Sequence, residues 1–229
     1  MIWAGQPYVT LMASLPAIRF LSEKEPPITR QRLMERLKDL PPADQATLRE
    51  LTEVVSWRFI DVADDDAAFL ERAEALLERI ASPTLRAALC ERLELRTVVA
   101  ALRRRHAGEP APAKGVRWGY GPHLERIRAN WTLPDFGVAT FYRWLPAAKE
   151  ALDVGDTVAL ERLLLETAWQ QQARHSERHE FDFEAVALYM LRWSMADRWA
   201  RYDADEATIR FAELLEAALA DAPAIPEAA

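Results

Sequence analysis

SPTLRAALCERLELRTVVAALRRRHAG, residues 82–108, is the longest uninterrupted helical pattern in the first half of the chain, and its reading decides the fold. Ser82 can cap the helix. Pro83 fits a first turn whose amides have no intrahelical partner anyway. Arg103, Arg104, Arg105 and His106 gather at the carboxyl end, where the helix dipole favours cations, and Gly108 can close it. At about 100° per residue, Leu85, Ala88, Leu89, Leu93, Leu95, Val98, Val99 and Leu102 cover well over half the circumference, so the helix is packed on more than one side. Arg92 and Arg96 lie inside that apolar arc, one turn apart, where a guanidinium is costly to bury unless carboxylates or carbonyls meet it.

Outward from this helix the chain reads as all-α, a multi-helix bundle. Toward the amino terminus, residues 8–15 form a short apolar run that stops at Pro16 and reads as a short strand or extended arm. Helices are expected over about 29–38, capped by Thr29, over 43–59 after Pro41 and Pro42, and over 66–81 behind the acidic cluster Asp64, Asp65 and Asp66. That cluster has neither the ligand spacing nor the central glycine of a calcium loop, and the dipole accounts for it.

Toward the carboxyl terminus, GEPAPAKGVRWGYGP (108–122) holds four of the seven glycines and reads as a loop. It lacks the strand, helix and closing Lys-Ser or Lys-Thr of a phosphate loop. Trp118 and Tyr120 within it either form an exposed aromatic interface or pin the loop to the domain. Short helices follow near 123–131 and up to 154, then one over 157–175. The second organising element is a helix over about 182–203, capped by Asp182 and carrying Arg192 within its apolar stripe. A separate amphipathic helix over 206–220 is anchored by Ile209, Phe211, Ala212, Leu215 and Leu219, and residues 222–229 are expected to fray. The expected architecture is thus two long central helices, a short extended amino-terminal arm and one helical domain spanning 1–221.

With 229 residues, half of them hydrophobic and 28% charged, the composition is that of an ordinary globular chain. The formal charge of −7 argues against general nucleic-acid binding. No apolar run is long enough to span a bilayer, and no basic residue precedes the first apolar stretch as in a signal peptide. The single cysteine, Cys90, cannot form an intramolecular disulfide, so a cytoplasmic location is the default expectation.

Three groups of residues are candidates for function. His175 and His179 stand four apart, as metal ligands on one helix face do. Ser176 takes the place of the glutamate in the sharper motif, so a solvated linker is the preferred reading, with Glu177 and Glu180 able to complete a metal site. Arg92, Arg96 and Arg192 either pack their stems while the guanidinium groups reach the edge of the bundle, or are paired internally, with Glu184, Asp182 or Asp197, or are left for a partner protein; internal pairing is the favoured reading. Trp118 and Tyr120 form the third group. No catalytic residue, cofactor or nucleophile elbow is singled out.

Three stretches carry a family resemblance: YVTLMASLPAI (8–18), ERLELRTVVAALRRRHAG (91–108) and FDFEAVALYMLRWSMADRW (181–199). Together they resemble a bacterial family encoded alongside V/A-type ATPases. Its members have an aromatic-rich arm closing in Ala-Ser-Leu-Pro, a Glu-rich then Leu-Arg helix, and a late Phe-x-Phe-Glu-Ala-Val helix, here at residues 13–16, 91–102 and 181–186. The two helices are more distantly similar to the central-stalk component called C in prokaryotic and d in eukaryotic V/A-type ATPases, an all-helical funnel that seats the rotor stalk on the membrane ring. The resemblance implies a non-catalytic subunit or assembly factor, cytoplasmic and peripheral to the inner membrane through its complex. Its implied partners are the ATPase stalk and membrane-ring subunits. A stand-alone helical adaptor is the alternative, and a His-based metal protein or enzyme a third.

Overall fold

The helix signals read from the sequence are realised by specific caps. Ser82 Oγ accepts from the Leu85 amide at 3.3 Å, and Gly108 closes the same helix at φ +78°. Asp156 Oδ1 accepts from the Ala159 amide at 2.8 Å, and Asp182 Oδ1 from the Ala185 amide at 2.8 Å. The computed structural model describes residues 6–20, 25–55 and 66–220, with side chains from 7 to 202 within them. Among the described residues there are nine α-helices and no strand, so the fold is all-α. They are α1 (Gln6–Ser14), α2 (Arg30–Leu37), α3 (Pro42–Val55), α4 (Asp66–Arg79), α5 (Pro83–His106), α6 (Leu124–Ala129), α7 (Leu145–Asp153), α8 (Thr157–Ser176) and α9 (Phe183–Ala220). The expected continuation of α3 to residue 59, the residues Asp64 and Asp65, and the tail at 222–229 lie outside the described residues.

Two cores form on the two halves of α5. Leu85, Leu89 and Leu93 pack with Leu11 of α1, Leu33 of α2, Leu51 of α3, Phe69 of α4 and Val186 to Trp193 of α9. Further along, Leu95, Val98, Val99 and Leu102 pack with Trp118, Ile127, Trp131, Phe136, Leu145, Leu164 and Met195. Both α5 and α9 therefore pass through both cores, and α8, with 20 residues, joins them as a third long helix.

Two sequence expectations are corrected. Residues 8–15 do not form a strand or extended arm; they lie in and just after α1. The restriction imposed by Pro16 reaches only Leu15. Tyr8, Leu11, Met12 and Leu15 keep helical spacing and pack on the first core, with the Tyr8 hydroxyl held by Asp44 of α3. The expected break between helices at 203–206 is also absent, since α9 runs unbroken for 38 residues. No glycine or proline lies between Phe183 and Ala220, and the acidic residues near 205 are accommodated within the helix rather than starting a new one.

Candidate functional site

The polar side of α5 is the richest concentration of chemistry in the fold. Thr84, Cys90, Glu91, Glu94 and Thr97 recur along it at helical spacing, and each meets a partner from another element. His179 Nε2 lies 2.9 Å from Thr84 Oγ1. His175 Nε2 lies 3.2 Å from Glu91 Oε2, and Arg174 Nη2 approaches the other oxygen at 3.6 Å. The Tyr120 hydroxyl and Cys90 Sγ are 3.1 Å apart, and the Tyr142 hydroxyl donates to Glu94 Oε2 at 3.1 Å. His123, stacked on Phe141 at 4.1 Å, favours the ionised form of Glu94.

The loop at 108–122 lies directly on this face. The Tyr120 amide donates to Thr97 Oγ1 at 2.8 Å, and the flanking glycines make the approach possible. A Cβ on Gly119 would stand 2.4 Å from Thr97 Cγ2; one on Gly121, whose φ is +121°, would stand 2.7 Å from Glu94 Cγ. Trp118 is 5% exposed and meets Trp131 edge-on at 6.5 Å. Trp118 and Tyr120 therefore do not form an exposed aromatic surface; they pin the loop, with Trp118 in the second core and Tyr120 against the first.

Burial is the main cause that raises the Glu94 carboxyl above its ordinary range, opposed by the hydrogen bond from Tyr142. Burial, then the neighbouring carboxylate, pushes the Tyr142 phenol up as well. Tyr120 is pushed up to about 12 by burial and its contact with Cys90. Burial is thus the shared cause along the seam, disfavouring the charged forms of Tyr120, Tyr142 and Glu94 alike.

The arginines singled out by the sequence find three different environments. Arg92 is 4% exposed, with Nε 3.4 Å from the Val55 carbonyl. Burial lowers it to about 9, while Glu161 acts in the opposite sense. Glu161 of α8 is itself buried and receives a two-pronged contact from Arg198 of α9, with Nη2 at 3.3 Å. Arg96 pairs with Asp66 of α4 at 3.6 Å and lies over the Phe69 ring at 3.7 Å; Asp66 also holds Arg104. Arg192 lies over Trp169 at 4.1 Å, and Trp169 in turn stacks on Phe20 at 4.9 Å. Asp182 contacts His179 and caps α9, and Asp197 pairs with Arg201.

Sequence reasoning does not single out Glu161, Arg198 and Asp66 as members of this network. A signal for the first exists: Glu161, Leu165, Ala168 and Gln172 share one stripe of α8, and all four are buried.

His175 and His179 do not converge on one site. His175 turns to Glu91, whereas His179 Nδ1 lies 2.7 Å from Asp182 Oδ2. Their side chains are 18% and 16% exposed, which replaces the expected solvated linker with a packed connection. His179, Asp182 and Glu184 each offer a ligand atom within 4.8 Å of the others, the one such group among the described residues. Both nitrogens of His179 already have partners, and the positive end of the α9 dipole opposes a cation there. The group works as a fastening between the starts of α5 and α9.

No described helix is long and apolar enough to cross a membrane. Neither protein-family models, curated proteins nor solved structures contain a match to this chain.

Proposed function

We propose that the chain is a non-catalytic helical subunit or assembly factor of a V/A-type ATPase, acting through protein contacts where the rotor stalk meets the membrane ring. The reading starts from the three stretches that resemble the ATPase-associated family. One observation supports it: those stretches, far apart in sequence, are packed on one another. Leu11 of the first, Leu93 of the second and Val186 and Leu188 of the third share one core, and the Tyr189 hydroxyl donates to the Pro16 carbonyl at 2.9 Å. The residues that carry the likeness are thus the frame of the fold, as expected where a family is defined by a shape that fits a partner. In this reading the protein is cytoplasmic and reaches the inner membrane through other subunits.

The test is purification of the tagged full chain from its native host in mild detergent, with identification of the proteins that accompany it. Rotor-stalk and membrane-ring subunits are the expected companions. The chain alone, or with unrelated proteins, from cells shown to contain the assembled ATPase, would overturn the reading in favour of a stand-alone adaptor.

A further inference from the structure

Between α2 and α3 the surface opens into a groove of about 360 Å³, within the size range of small-molecule sites. Its floor is apolar. Leu37 of α2 and Leu48 of α3 supply branched side chains, and Met34 of α2 and Met190 of α9 supply unbranched thioethers that adapt to a flexible apolar chain. Around this floor stand Arg30, Lys38 and Arg49, all exposed, against one carboxylate, Glu53. None of these four makes an ion pair with a described residue, whereas Arg79, Arg117 and Arg201 elsewhere on the surface each hold a carboxylate. The groove is thus a basic, apolar-floored site on a chain whose formal net charge is −7.

The charge is placed unevenly. Gln45 Nε2 donates to the carbonyls of Lys38 at 3.0 Å and Leu40 at 2.8 Å, which fastens the end of α2 to the start of α3. Lys38 stands at that crosslink and Arg49 one turn beyond it, about 6 Å along α3, so two cations flank one end of the groove. Glu53 lies a further turn along α3, away from Lys38. The complement of this arrangement is a molecule with one anionic end and one apolar chain. A partner helix is too thick for it: two turns of a helix about 10 Å across occupy roughly 850 Å³, more than twice the groove. We propose that the groove binds a free single-chain alkyl carboxylate, its head between Lys38 and Arg49 and its chain on Met34, Leu37, Leu48 and Met190. The site stands independently of the ATPase reading and shares no residue with the seam on α5.

Decanoate, kept below its micellar concentration and titrated into the full chain with methyl-labelled methionines, tests this by NMR, with circular dichroism to verify that each variant is folded. Wild type is expected to bind saturably, with shifts of the Met34 and Met190 methyl signals that leave Met12 and Met195 in place, and with an affinity that high salt lowers. Decyltrimethylammonium, the same chain with a cationic head, should not saturate the site. Lys38→Glu with Arg49→Glu should weaken decanoate binding by about tenfold or more. That charge-reversed variant should instead take up decyltrimethylammonium, a gain that a folding defect does not produce. Met34→Glu, which puts a carboxylate on the floor, should lose decanoate as well. Decanoate that does not saturate, shifts that reach Met12 and Met195 equally, or folded variants that bind as wild type does would each overturn the proposal. Uptake on vesicles containing phosphatidylglycerol without binding of free decanoate would assign the basic rim to a membrane surface and overturn it. Concentration-dependent shifts of the Met34 and Met190 signals without ligand would assign the groove to a second copy of the chain and overturn it equally.

Discussion

At the scale of single residues, the buried charges make the sharpest distinctions. Glu161 sits between Arg92 of α5 and Arg198 of α9, so its removal leaves guanidinium charge in the interior without a carboxylate. Glu161→Gln is expected to cost about 3–5 kcal/mol in denaturant unfolding. Arg92→Met removes a buried charge while leaving Glu161 paired with Arg198, and should stay within about 2 kcal/mol of wild type. Equal losses would contradict this account. Glu94 gives a pH prediction. Between its ordinary value of 4.5 and its raised one, the folded chain keeps a proton that the unfolded chain has released. Stability therefore falls as pH rises through that window. Glu94→Gln, which stays neutral and can still accept from Tyr142, should show a shallower fall from pH 4.5 toward neutrality in matched unfolding titrations. The sequence reveals that Arg92, Arg96 and Arg192 stand on apolar arcs, since periodicity reports burial. It does not name their partners. Asp66 and Glu161 come from other helices, and an aromatic ring meets Arg192 where the sequence suggests a carboxylate.

At the scale of elements, caps and stops are the legible features, because they are local chemistry. Ser82, Asp156 and Asp182 all act as caps. What misleads is a local signal set against a longer pattern. Pro16 overshadows the helical spacing of Tyr8, Leu11, Met12 and Leu15, and the acidic residues near 205 suggest a new start within α9. The loop at 108–122 is recognisable by its glycines, but not the surface it covers, which depends on Thr97 and Glu94 facing it across sequence. Gly119→Ala should destabilise the fold by about 1–3 kcal/mol, because the added methyl meets a helix side chain with little room to move. Thr97→Ser removes the Cγ2 atom and keeps the oxygen that holds the Tyr120 amide. The double variant should then recover part of the loss, and a double-mutant cycle with no coupling would show that the loop does not rest on Thr97.

At the scale of the whole molecule, α5 and α9 cross two cores that the sequence does not separate, since one apolar arc of α5 serves both. Leu89→Ala, at a fully buried position in the first core, should cost about 2–5 kcal/mol. Because the same helices span both cores, the loss should lower a single transition. Fluorescence of Trp193 in the first core and of Trp118 and Trp131 in the second, isolated by substituting the other tryptophans, should report the same midpoint. Separate midpoints would divide the chain into independent units. The uninterrupted α9 has a mechanical consequence. Its 38 residues extend about 57 Å, nearly twice the about 30 Å of its antiparallel neighbour α8. By geometry alone, a 5° tilt of a helix axis displaces a point about 27 Å further along it by about 2 Å. A repacking too small to alter either core would thus be felt by whatever grips the tip of α9, and force applied at the tip would be returned, as torque, to the helices that meet at Glu161.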